Sequence, residues 1–348
     1  MRRGRGCCFY PRSAVWMAAL TLTLLSACAS TPPITALSAH SADLPTAIEL
    51  IDVPFFPQEE NWCGPAALAT VLQHAGVAVI PEQLASEVYL PERKGSLQME
   101  LLAAGRTRER VPYVLEPELG AVLREVAAGH PVLVLQNLGF DWLPRWHYAV
   151  VVGFDLAQNT VILRSGSESR RRTALTVFDR TWSRGERWAT VVLKPHVLPV
   201  TADSDRFIRA AHDLEATGKL QAAFQAYTAA STAWPEHFVT QFALGNAAYR
   251  LGELPVAETA LRRAAQAQPA AAPAWNNLAY VLAARGCGDE ARAAAQCAAK
   301  LAPNDPGVAD TQSALATTQN ASAVDCQPVL CASSAAPDSS PAAAVSSE

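Results

Sequence analysis

The sequence lacks several features that would fix its class at a glance. It has no Gly-x4-Gly-Lys loop, so nothing marks it as a nucleotide-driven transporter. It has no Cys-x-x-Cys pair, which leaves a structural zinc site without support. Charge of one sign is not in excess: 28 Lys and Arg stand against 32 Asp and Glu, for a net charge of −4. No basic stripe with interleaved aromatics appears, so nucleic acid is not an expected partner. The short run Arg170-Arg171-Arg172 reads as a solvated loop. The apolar stretch Ala14 to Leu25 is 12 residues long, too short to span a bilayer as a helix.

What is present begins with that same stretch. Arg2, Arg3, Arg5 and Arg12 precede it, and Leu25-Ser26-Ala27-Cys28 closes it. A positive region, an apolar core and small residues read as an export signal. The last four residues resemble the lipobox of bacterial lipoproteins. The resemblance implies that residues 1–27 are a signal peptide, removed before Cys28, whose thiol is lipidated. Acyl chains would then hold the protein at a membrane with about 0.8 kcal/mol per buried CH₂. Ala29, in place of Asp, implies a bacterial cell-envelope location at the outer membrane, facing the periplasm. Of eight cysteines, Cys7 and Cys8 leave with the signal and Cys28 takes the lipid. Outside the cytoplasm, Cys287, Cys297, Cys326 and Cys331 are free to form disulfides among themselves.

Composition divides the rest. Residues 28–47, rich in Ser, Thr, Ala and Pro, read as a tether. Residues 48–197 alternate helical and strand-like stretches. Residues 201–303 are Ala-rich and helical, and residues 310–348 read as a disordered tail with little to bury. The Ala-rich part repeats: Pro235, Pro269 and Pro303 lie 34 residues apart, as do Ala223, Ala257 and Ala291. Phe207 and Trp275 share a register. Small residues suit close helix contacts, and proline stops each second helix. The pattern resembles about three tetratricopeptide repeats, which implies a concave surface for a peptide or protein partner.

The chemistry lies in residues 48–197. Gln58 precedes Trp62-Cys63-Gly64-Pro65-Ala66-Ala67, where an extended stretch turns into a helix. A cysteine at a helix N-terminus meets free N–H groups and the positive end of the macrodipole, so a thiolate is expected at Cys63. Gly64 is expected to let a substrate approach the backbone. The side-chain amide of Gln58 can donate to a developing oxyanion. His147 opens the apolar run Tyr148-Ala149-Val150-Val151-Val152, a buried strand, from whose end its imidazole can act as general base.

Together, Gln-x4-Cys-Gly-Pro-Ala-Ala and His-Tyr-Ala-Val-Val-Val-Gly resemble the C39-like cysteine peptidases over about residues 50–195. The resemblance implies an α+β papain-like cysteine peptidase domain followed by an all-α tetratricopeptide-repeat solenoid. It implies Cys63 as nucleophile, His147 as base and Gln58 as oxyanion donor, with no cofactor and a peptide or protein as substrate. That clan orients its histidine with Asp or Asn on the next strand. Here the aligned position falls at Ser165, with Asp155 and Asn137 as alternatives. Trp142, Trp146, Trp182 and Trp188 read as core and edge packing rather than cleft walls. An inactive binding lipoprotein and a cell-wall amidase or transglutaminase stay open beside the peptidase.

Overall fold

A computed structural model of the protein describes residues 44–58, 61–319 and 325–331. The signal peptide, Cys28 and most of the tether lie outside the described residues. Among the described residues, no helix is long and apolar enough to cross a membrane.

The first part is built on an antiparallel sheet. Strand β1 (Ala47–Glu49) is followed by helices α1 (Cys63–His74), α2 (Pro81–Val88) and α3 (Gln98–Thr107). A single 3₁₀ turn, Pro91–Arg93, joins the last two. Then come β2 (Val111–Val114), α4 (Leu119–Ala127), β3 (Val132–Asn137) and β4 (Trp146–Asp155). They are followed by β5 (Thr160–Ser165), β6 (Glu168–Ala174), α5 (Leu175–Ser183) and β7 (Ala189–Leu193). The strand order is β2-β7-β3-β4-β5-β6, with β1 paired to the far end of β4.

β3 and β4 read as continuous apolar runs because they are central, with helices packed against them. Leu133, Leu135, Tyr148, Val150 and Val152, at the two-residue period of a strand, join the core cluster formed by Leu68, Val71 and Leu72 of α1. That packing fixes the start of α1 against the start of β4. Edge strand β6 is exposed along most of its length and carries Arg170, Arg171 and Arg172. The expected loop is therefore a strand, and its charges discourage edge-to-edge pairing.

The second part is a stack of helices: α6 (Ser204–Ala216), α7 (Leu220–Ala233), α8 (Phe238–Leu251) and α9 (Leu254–Ala267). α10 (Ala272–Ala284), α11 (Gly288–Leu301) and α12 (Pro306–Leu315) complete it. Ala223, Ala257 and Ala291 are all fully buried, as the period requires. Gly245 has no room for a side chain, because a Cβ there would overlap Leu261 of the paired helix. The shared register has a purpose the sequence did not reveal. Gln241 Nε2 donates to the Pro235 carbonyl at 2.9 Å, and Trp275 Nε1 donates to the Pro269 carbonyl at 2.9 Å. Each side chain satisfies the carbonyl of the proline that ends the preceding repeat, and Gln241 is fully buried doing so.

The two parts are joined through polar contacts at β2 and α4. The buried Glu125 carboxylate accepts from Thr201 N at 2.8 Å and Thr201 Oγ1 at 2.6 Å, and pairs with His130 at 2.7 Å. Arg106 meets Asp213 at 2.5 Å, and Arg206 pairs with Glu116.

The expectation of disorder from residue 310 is corrected for two stretches. α12 runs to Leu315. Residues 325–331 are held by disulfides Cys287–Cys326 and Cys297–Cys331, and Arg262 donates to the carbonyls of Gln327 and Pro328. Composition argued for disorder because it counts apolar residues and misses covalent closure.

Candidate active site

Cys63 is the first residue of α1 and His147 is the second of β4. Both line one pocket with a volume of about 850 Å³, together with Gln58, Ser96, Tyr148 and Gly166. Of the eight cysteines, Cys63 is the one free thiol among the described residues. Its sulfur is within hydrogen-bonding range of the backbone N–H of Tyr148, of Gly64 and of Cys63 itself. The contact with Tyr148 N–H sets the sulfur beside the residue that follows the imidazole.

His147 Nε2 lies 2.8 Å from Ser165 Oγ at the end of β5. With Nε2 engaged there, Nδ1 is the nitrogen left for the thiol. Of the three candidates for the orienting group, Ser165 is the one that reaches the ring. Asp155 Oδ1 accepts instead from Gln158 N at 3.0 Å, holding the β4–β5 turn. Asn137 Oδ1 accepts from Gly139 N at 2.9 Å and Arg145 N at 2.8 Å, holding the loop between β3 and β4.

Gln58 is fastened at two points to the turn after β5. Its backbone N donates to the Gly166 carbonyl at 3.0 Å, and its Oε1 accepts from Gly166 N at 3.1 Å. Once the carbonyl oxygen is engaged, the side-chain NH₂ is the group left for the pocket. That suits a donor to an oxyanion.

Two expectations are corrected. Gly64 does not open the backbone to a substrate: a Cβ there would overlap Ser96, which packs against the first turn of α1. Ser96 is in turn tied to β4, since Tyr148 OH donates to its carbonyl at 3.2 Å. Gly64 is thus the socket that seats the Pro91–Gln98 segment beside the cysteine. The second correction concerns charge. Burial pushes the Cys63 thiol pKa up, and the three N–H contacts only partly oppose it. His147 is pushed down to about 4, first by burial and then by the positive charges of Arg171 and Arg145. The resting pair is therefore a neutral thiol and a neutral imidazole, because desolvation outweighs the helix terminus and Ser165 supplies no negative charge.

The four tryptophans divide. Trp182 is fully buried and Trp188 packs against the core, as expected. Trp146 lines the pocket, while Trp142 is 78% exposed and stacks on Phe140 at the tip of the β3–β4 loop. Sequence reasoning missed Tyr148 N–H, Ser96 and the pocket cations Arg93, Lys94 and Arg145. Such contacts leave no mark in local pattern.

Fold and site together define a mixed α/β, peptidase-like domain followed by a helical repeat segment. Residues 50–189 match the Peptidase_C39 like family, and residues 208–269 and 242–306 each match the tetratricopeptide repeat. Among solved structures, one described as a C39-like peptidase from Bacillus anthracis is 18% identical. It covers 43% of this chain and 98% of its own, with a TM-score of 0.37. The first tetratricopeptide repeat domain of Spaghetti (RPAP3), bound to an HSP90 peptide, is 20% identical. It covers 34% of this chain and 95% of its own, with a TM-score of 0.32. The Yersinia enterocolitica type III secretion chaperone SycD, in complex with a YopD peptide, is 18% identical. It covers 32% of this chain and 91% of its own, with a TM-score of 0.30. No curated protein matches the chain.

Proposed function

We propose that the protein is an envelope-anchored cysteine peptidase, tethered by lipid at Cys28 and cutting amide bonds with Cys63 and His147. The observation that carries this reading is the shared pocket, with sulfur against Tyr148 N–H and imidazole fixed by Ser165. As the sulfur attacks the substrate carbonyl carbon, His147 Nδ1 takes the thiol proton. Gln58 Nε2 and the Cys63 N–H hold the resulting oxyanion. The imidazolium then protonates the amine as the C–N bond breaks, leaving a thioester. His147 next takes a proton from water, whose oxygen attacks the thioester; the acid leaves and the proton returns to sulfur. The repeats serve to bind a protein partner or substrate.

Labelling with a peptidyl acyloxymethyl ketone tests this. Wild type should be modified at Cys63, and Cys63→Ala and His147→Ala should not. Modification that persists in Cys63→Ala would end the proposal. The neutral Ser165 supports a second reading, in which the domain binds peptides without cutting them. On that reading Cys63 stays unlabelled.

A further inference from the structure

The two walls beside the reacting pair carry unmatched positive charge. On one wall the chain folds through the 3₁₀ turn Pro91–Arg93 into Lys94, which is left-handed at φ +49°. Leu90 N donates to the Gly95 carbonyl at 2.8 Å, closing this loop, and Ser96 seats it on Gly64. Arg93 and Lys94 are thereby held at fixed range from Cys63, and both line the pocket. On the other wall, Arg145 is held through its own backbone. Its N–H donates to Asn137 Oδ1 at 2.8 Å, and its carbonyl accepts from Leu138 N at 2.9 Å.

None of these three side chains meets a carboxylate among the described residues. Elsewhere in the same domain Arg108, Arg170 and Arg187 pair with Glu87, Glu49 and Asp179. One carboxylate, Glu186, lines the pocket among the described residues. The sequence also carries Glu59 and Glu60 between Gln58 and Asn61, outside the described residues. Cations on facing walls of a partly enclosed cleft raise the local concentration of anions and fix their register. The positive charge acting on His147 from Arg145 and Arg171 has the same origin.

We propose that the cleft selects anionic peptides, with substrate carboxylates meeting Arg93 and Lys94 on one wall and Arg145 on the other. This rests on the peptidase reading and adds the class of substrate. Two sources share that chemistry: a linear protein segment rich in Glu or Asp, and the acidic stem peptide of a cell wall.

Binding to the full chain carrying Cys63→Ala tests the charge without the chemistry. The probes are a fluorescent Ala-Gly peptide with two Glu residues and its Gln twin, read by anisotropy at low and at moderate salt. The Glu peptide should bind about tenfold more tightly at low salt, and the ratio should shrink as salt rises. In the added triple variant Arg93→Gln, Lys94→Gln, Arg145→Gln, the ratio should fall below about twofold. These side chains are exposed, so the variant should keep its melting temperature. Equal binding of the twins, no binding of either, or a ratio that survives the triple variant overturns the proposal. Displacement of the Glu peptide by purified stem peptide assigns the source to the wall, and lack of displacement assigns it to linear segments. An unreactive Cys63 in wild type would remove the peptidase reading while leaving the binding result standing.

Discussion

The sheet domain and the repeats use cysteine in opposite ways. In the sheet domain Cys63 is free, half-buried and set against an imidazole delivered by a distant strand. In the repeats Cys287 and Cys297 are fully buried and bonded to Cys326 and Cys331, where sulfur is only a fastener. The difference follows from how each region is ordered. A sheet brings together residues far apart in sequence and so can assemble a reactive group from remote parts. A repeat stack makes mostly neighbour contacts, and gains most from a link that closes its end.

The largest expected effect sharpens this contrast directly. Alkylation of Cys63 by iodoacetamide should be slow at pH 7 and rise about a hundredfold by pH 9, because burial holds the thiol protonated. The disulfide-bonded cysteines should stay silent until reductant is added. A rate that levels off near neutral pH would mean that the pair rests as thiolate and imidazolium. Next, Cys287→Ser with Cys297→Ser should lower the stability of the repeats by roughly 2–4 kcal/mol, given separations of 39 and 34 residues. Denaturant unfolding followed in the repeats would show it, while the alkylation rate of Cys63 should not change.

A third effect separates the regions by pH. His147 titrates near 4 when folded and near 6.5 when unfolded, so the unfolded chain binds the extra proton between those values. Stability from this residue is complete above about pH 6.5 and is lost as pH falls toward about 4, by up to about 3 kcal/mol. His147→Gln should flatten that part of the stability profile, and an unchanged profile would contradict the neutral imidazole. Smallest is Ser165→Ala, expected to reduce kcat about tenfold by loosening the ring. Ser165→Asp should restore orientation and raise the His147 pKa, read by NMR titration of the imidazole.

How much of this was legible in the sequence differs by region. The helix opening at Cys63 and the strand opening at His147 could be read from local pattern, as could the position of Ser165 one strand away. Their protonation could not, since burial depends on core packing between α1, β3 and β4 that no local stretch encodes. Gly64 was legible as a glycine that mattered, but its occupant Ser96 lies on a different segment. In the repeats the period of 34 residues exposed the small positions at once. It concealed that Gln241 and Trp275 share a task, because an amide and an indole look unlike until both are seen as N–H donors. The closing disulfides were permitted by composition, but nothing in spacing chose between pairings.

The stapled segment 325–331 has a consequence for fragments of the chain. A cut anywhere between α11 and Cys326 leaves both products joined through sulfur, since Cys287 and Cys297 lie on one side and Cys326 and Cys331 on the other. A protease acting there would produce no loss of mass on a non-reducing gel, and two bands on a reducing one.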